Sequence, residues 1–293
     1  MTGARPEPTV DEVASADDAT GRDAPDAPDR DGPVSEEPLP PSDPMWRQIL
    51  EGTTPGFAEG HKWFRRIPSS PRCKLCAAPF GGIGAPVMHM IDRAPWAKNP
   101  TICGFCFKQL ERGHGGAEIE LTLLFADIRG STSIAESMEP RTFQQLMGRF
   151  YRVSTEILIA HDAVVDKFVG DEVVALFIPA LTGPEHAQHA VDAAREMLRA
   201  TGHNDRGGPW APLGIGIHTG TAYVGTVGDT VTDFTALGDA VNVTARLASE
   251  AAGGEILVSA VTSARAGLDA DLETRHLTLR GRQQPLDIRV LHV

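Results

Sequence analysis

The run AEIELTLLFADI, residues 117–128, constrains the fold more than any other segment. It alternates at first and then becomes fully apolar, which suits a strand covered on both faces at the centre of a sheet. It ends at Asp127, and Gly130 and Ser131 follow at once. Ser133 and Glu136 have the spacing of a capping box, so the strand is expected to run directly into a helix. A carboxylate at such a junction can hold a metal ion, and free backbone N–H groups beside it can hold a phosphate. Taken alone, Asp127 would be an ordinary helix-capping residue.

The segments that follow extend this start into a domain. Pro140 sits at an N1-like position, and Phe143, Leu146, Met147, Phe150, Ile157 and Leu158 mark one apolar helical face. DAVVDKFVGDEVVALFIPA reads as two β-rich runs around Gly170-Asp171, which places Asp171 at a hairpin tip. A second helix follows Gly183-Pro184, with Ala187, Val191, Ala194 and Leu198 on one side. Leu213, Ile215 and Ile217 alternate as a strand. GDAVNVTARLASEAAGG reads as a helix with a glycine stop, and its Asn242 and Arg246 are four apart and share a face. EILVSAV is read as a further strand and TRHLTLRGRQQPLDIRVLHV as a terminal hairpin. The order β-α-α-β-β-α-β gives an α+β class with a ferredoxin-like plan.

Charge separates this domain from what precedes it. The net charge of the 293-residue chain is −12, yet residues 1–45 hold twelve Asp/Glu against three Arg and nine of the 22 prolines. The folded remainder is therefore near neutral, and it lacks the basic stripe of a nucleic-acid-binding face. The segment 1–45 has too few large apolar residues to offset its ordering entropy and is expected to be a disordered acidic tail. The N-terminus has no apolar core of a secretory signal, and no apolar run reaches the ~20 residues of a membrane span. A cytoplasmic protein is expected, without membrane or nucleic-acid partners.

All four cysteines lie in residues 46–115, as Cys73 and Cys76 in RCKLC and Cys103 and Cys106 in CGFC. Two residues between thiolates let both sulfurs converge on one ion, and two such knuckles make a tetrahedral site. The 26 residues between the pairs exceed the usual zinc spacing, but loop-closure cost grows only logarithmically. Structural Zn²⁺ is the expected ligand, with an iron–sulfur cluster, a redox disulfide or plain thiols as alternatives. His61, His89 and His114 are read as surface residues. The segment has too little core to fold by itself, and a metal would supply the missing stability.

FADIRGST, KFVGDEVVALF and FTALGDAVNVTAR, in this order, resemble the catalytic domain of class III nucleotidyl cyclases of the bacterial adenylyl type. The resemblance covers about 116–293 and implies a roster of site residues. Asp127 and Asp171, with the backbone carbonyl of Ile128, would bind two Mg²⁺ or Mn²⁺ ions. Lys167 and Thr235 would select the purine, with a donor and an acceptor that complement adenine N1 and N6. Asn242 would orient the ribose and Arg246 would stabilise charge on the transferring phosphoryl group. Gly130 and Ser131 would lie by the substrate, and Arg280 or Arg282 would replace the lysine that often contacts the triphosphate.

The implied reaction converts ATP to 3′,5′-cyclic AMP and pyrophosphate in a homodimer with shared sites. The alternatives are a guanylate or dual-specificity cyclase and a non-enzymatic nucleotide sensor. A P-loop NTPase is disfavoured because no G-x4-G-K-[ST] occurs.

Overall fold

The computed structural model describes residues 44–53, 64, 71–73, 76–82, 85–96, 99–112, 115–227, 233–278 and 285–293. The acidic segment up to residue 43, and Arg280 and Arg282, lie outside the described residues. The first helix, α1 (Pro44–Leu50), starts two residues inside the segment read as tail.

The 117–128 run forms β3 (Gly116–Ile128), and it is central. Its neighbours are β5 (Glu172–Phe177) on one side and β6 (Leu213–Val227) on the other, both antiparallel. β4 (Val164–Val169) closes the 170–171 hairpin with β5, and the short α6 (Pro179–Thr182) follows it. β8 (Ile256–Ser259) pairs with β6 in parallel, and β10 (Leu286–Leu291) and β9 (Thr274–Leu277) complete the order β4-β5-β3-β6-β8-β10-β9. β7 (Asp233–Leu237) folds back on the far end of β6, from Tyr223 to Val227.

Both faces of β3 are covered, which explains why its sequence stops alternating. Leu124, Ala126 and Ile128 enter one core with Phe150, Ile157 and Leu158 of α5 (Pro140–Ala160) and Ala187, Val191, Ala194 and Leu198 of α7 (His186–Ala200). Ile119, Leu121, Leu123 and Phe125 enter a second core with Val164, Phe234 and Ala240. Phe143, Leu146 and Met147 are only half-buried, so the apolar face of α5 is fully covered only in its C-terminal half.

The second core is also where the cysteine segment packs. Trp46, Leu50, Ile102 and Phe107 belong to it. Here β1 (Pro95–Trp96) pairs with β2 (Asn99–Cys103), which leads into α3 (Gly104–Arg112); α2 (Ala85–Met90) precedes them. Trp96 stacks on Phe107 with ring centroids 3.5 Å apart, and Phe107 meets Phe234 edge-on at 6.2 Å. The segment's shortage of core is thus met by the sheet as well as by its own residues.

Local readings differ from the structure in three places. α4 (Ser131–Ser137) starts at Ser131 after Gly130 at φ 69°, with no side-chain cap, so Ser133 and Glu136 lie inside the helix and form no capping box. A left-handed glycine reverses the chain there without a capping side chain. EILVSAV is a strand only to Ser259, whose hydroxyl accepts from Thr262 N–H and caps α9 (Ala260–Arg265). β6 runs ten residues beyond Ile217, and β7 carries no strand signature.

Glycines hide β6. A Cβ on Gly225 would come within 2.5 Å of Gly115 and Gly116 backbone, and one on Gly216 would meet Ala248 N at 2.3 Å. Glycine lowers apparent strand propensity because it has no side chain to pack and more conformational freedom to lose, and that same missing side chain permits the close backbone approach. At Gly216 the approach seats α8 (Asp239–Glu250) on β6, so Gly216→Ala is expected to cost about 1–3 kcal/mol by overpacking. Chemical denaturation measures that loss, and an unchanged midpoint would contradict the contact.

Candidate active site

β3 and the β4–β5 turn build one end of the site. Asp127 is opposite Glu172 in the register, which brings the turn residue Asp171 beside the end of β3. The Ile128 N–H donates to the Asp171 carbonyl at 3.3 Å. Gly170, at φ 60°, makes the turn. Tyr151 from α5 donates its hydroxyl to the Gly170 carbonyl and holds the turn down.

Two carboxylates are thereby placed in contact. Burial pushes the Asp127 carboxyl up to about 7, and its hydrogen bond with Asp171 adds to the rise, while the Arg129 charge opposes it. Burial also acts on Asp171, but hydrogen bonds from Asp127 and Ser131 outweigh it and hold that carboxyl below its usual range. Burial and the Asp171 charge raise Glu172. Two carboxylates that compete for one proton form an oxygen donor set suited to a hard divalent cation.

Arg129 is the present counter-charge. Its guanidinium pairs with Asp127 Oδ2 and donates to the Ser249 carbonyl at 3.0 Å. The Ser131 hydroxyl is engaged with Asp171, so Gly130 and Ser131 border the aspartates at the start of a helix of seven residues.

A second cluster lies between β4 and β7. Thr235 is 6% exposed and donates its hydroxyl to Asp166 Oδ2 at 2.7 Å. Lys167 Nζ lies 3.7 Å from the same oxygen, with its side chain 41% exposed against 3% for Asp166. A register shift between Val165 and Lys167 interrupts the simple alternation of β4. Lys167 and Thr235, separated by ~70 residues of chain, thus share one carboxylate.

Asn242 and Arg246 lie on α8, whose Val243, Thr244, Leu247 and Ala248 are buried. Asn242 is exposed and Arg246 half-buried. Among the described residues, no hydrogen bond or ion pair joins either side chain to Asp127 or Asp171.

Residues 117–285 match the adenylate and guanylate cyclase catalytic domain, more than half of the chain. The chain belongs to that family. The cyclase domain is similar to adenylate cyclase 1 of Rhizobium meliloti (strain 1021), with 36% identity over 150 residues that cover 48% of this chain and 23% of that protein. The chain spans well under half the length of the first curated relatives it matches. Among solved structures it is similar to the guanylyl cyclase Cya2, at 29% identity and TM-score 0.55 over 60% of this chain and 93% of that one. It is also similar to the adenylyl cyclase CyaB from P. aeruginosa, at 28% identity and TM-score 0.53 over 61% of this chain and 96% of that one. One is named for guanine and one for adenine nucleotide, so the fold does not choose the base.

Outside the cyclase match, Cys73, Cys76, Cys103 and Cys106 are all buried, and their sulfurs lie within 4.8 Å of one another. Cys76 and Cys103 Sγ are 3.7 Å apart. Bonds of ~2.3 Å at tetrahedral angles would set sulfurs about 3.8 Å apart around one zinc ion. Arg93 donates to Cys76 Sγ at 3.1 Å, the Cys103 N–H to Cys73 Sγ at 3.2 Å and the Cys106 N–H to Cys103 Sγ at 3.4 Å. Donors aimed at sulfur stabilise thiolate charge. Hydrogen bonds with Cys103 and then Cys106 hold the Cys76 thiol well below its usual range.

Sequence reading overlooked Arg129 and Asp166. Arg129 stands in the ADIRGST motif, but nothing local says that it turns back onto Asp127. Asp166 precedes Lys167 and looks like half of a solvated pair, because its burial depends on β7. No helix is long and apolar enough to cross a membrane among the described residues.

Proposed function

We propose that the cyclase domain converts ATP to 3′,5′-cyclic AMP and pyrophosphate. The contact between Asp127 and Asp171 carries this reading, since two adjoining carboxylates at a strand end suit the cations that accompany a triphosphate. Asp127, Asp171 and the Ile128 carbonyl would hold them. Bound Mg²⁺ or Mn²⁺ supplies activation of the ribose 3′-hydroxyl and charge neutralisation at the pyrophosphate. The 3′-oxygen attacks the α-phosphorus as the bond from that phosphorus to the bridging β-phosphate oxygen breaks, pyrophosphate leaves, and the hydroxyl proton passes to solvent. Asn242 orients the ribose, and the Arg246 charge stabilises the transferring phosphoryl group.

Lys167 and Thr235 support adenine as the base, through a donor for N1 and an acceptor for the 6-amino group. A guanylate or dual-specificity cyclase is the second reading, supported by the likeness to Cya2. The four cysteines are proposed to hold one structural Zn²⁺. The sulfur spacing supports a single ion, because an iron–sulfur cluster interposes several atoms and spreads its cysteines further apart. The protein is proposed to act in the cytoplasm.

A homodimer in which each site takes groups from both chains is what the resemblance to class III cyclases implies, and it fits an Asn242 and Arg246 that make no hydrogen bond or ion pair to the aspartates among the described residues. Asp127→Ala and Arg246→Ala proteins should each be inactive alone. Mixed, they should recover up to about a quarter of the wild-type rate, because random pairing makes half the dimers mixed, each with one intact site. Product formation by the mixture, with dimer exchange verified by differential tagging, is the measurement. No recovery in verified heterodimers would overturn the shared site.

A further inference from the structure

Asp166 has no place in the roster of site residues, yet it is the residue that joins the two proposed base selectors. Its side chain is 3% exposed and lies 3.7 Å from the Lys167 ammonium. It receives the Thr235 hydroxyl at 2.7 Å. An ionised carboxylate only accepts, whereas a threonine hydroxyl can donate or accept. Bonded to Asp166, Thr235 has spent its one proton inward, and what remains for a ligand is lone pairs.

We infer that Asp166 is the specificity-determining positioning residue of the base pocket, fixing Thr235 as an acceptor so that the site takes 6-amino purine nucleotides and rejects 6-oxo purines. The inference rests on the proposed base-selecting role of Lys167 and Thr235 and supplies what that role leaves open. A threonine free to rotate would serve the 6-amino group of adenine by accepting and the 6-oxygen of guanine or hypoxanthine by donating. With its proton directed to Asp166, a 6-oxo base would bring a second acceptor against the Thr235 oxygen and leave both without a hydrogen. Discrimination by a buried polar group left unmatched exceeds that from shape alone.

Asp166→Asn tests this. It removes the charge but keeps one acceptor oxygen, whereas Asp166→Leu, measured beside it, has no acceptor in any rotamer and frees the Thr235 proton to turn outward. In Asp166→Leu the ratio of kcat/KM for ATP to that for GTP, and for ATP to inosine triphosphate, should fall about tenfold or more. Thr235→Val combined with Asp166→Leu should show no larger loss than Thr235→Val alone, because Asp166 acts through the threonine. Should the Asp166 variants fail to fold, the wild-type protein keeps the inference falsifiable: it must turn over ATP at least about tenfold better than inosine triphosphate, whose base carries a 6-oxygen and a proton on N1. Equal use of the two would overturn the inference. An unchanged ratio in folded Asp166→Leu, with Thr235→Val altering it, would overturn the Asp166 role and leave the base-selecting role of Thr235 standing. Unchanged ratios in both variants would overturn both.

Discussion

Alanine at Asp127 or at Asp171 is expected to lower cyclic-nucleotide formation by about 10²- to 10³-fold or more while the protein stays folded. The two carboxylates are crowded: burial and the Asp171 hydrogen bond already drive Asp127 up to about 7. Asp127 is therefore maintained against a local cost, to which Asp171 adds and which a bound cation would offset, while Asp171 itself is held low by its hydrogen bonds. Removing either one relieves that cost in the empty protein, so the denaturation midpoint should hold or rise slightly. The Arg129 charge would remain beside the vacated position and further disfavour a cation there. Loss of activity without loss of stability is the signature of a site residue rather than a structural one. Turnover of ATP with Mg²⁺ or Mn²⁺, set beside a urea titration of the same preparation, provides both readings. Undiminished turnover in either folded variant would contradict the two-carboxylate site.

The cysteine pairs carry the second large effect. Replacing Cys73 and Cys76 by Ser should remove one zinc ion per chain, loosen the β1–β2 ribbon and α3, and reduce cyclase activity. Metal bound to four cysteines stabilises small modules by roughly 10 kcal/mol or more in peptide systems. Here the effect should travel further, because Cys106 is followed by Phe107, which packs on Phe234 next to Thr235. Loss of order in α3 removes one wall of the core that positions β7. Elemental analysis, limited proteolysis across 71–112 and the ATP/GTP ratio report metal, order and pocket in turn. A brown protein with iron and sulfide would mean a cluster. A protein purified without chelator that contains neither metal would contradict the structural-ion assignment.

Part of this protein was legible in the chain because the governing interactions are local or periodic. Apolar spacing marked α5, α7, β3 and the β4–β5 hairpin, since a buried face must recur at 3.6 or 2.0 residues. The knuckle spacing of the cysteines announced that their sulfurs would cluster, because two residues are what a turn needs to bring two sulfurs together. Motif order then placed Asp127, Asp171, Lys167, Thr235, Asn242 and Arg246 within a family.

Tertiary structure decided the rest. The glycines of β6 lower strand propensity for a reason visible only once Ala248 and Gly115 lie against them. The cysteine segment is short of apolar residues alone and well packed beside Ile119, Leu121 and Phe234. Arg129 bonds to Asp127 and Asp166 to Thr235 through geometry that no spacing encodes. A charged residue reads as solvent-facing in one dimension. It becomes a buried acceptor only when a strand ~70 residues away supplies its donor and excludes the water.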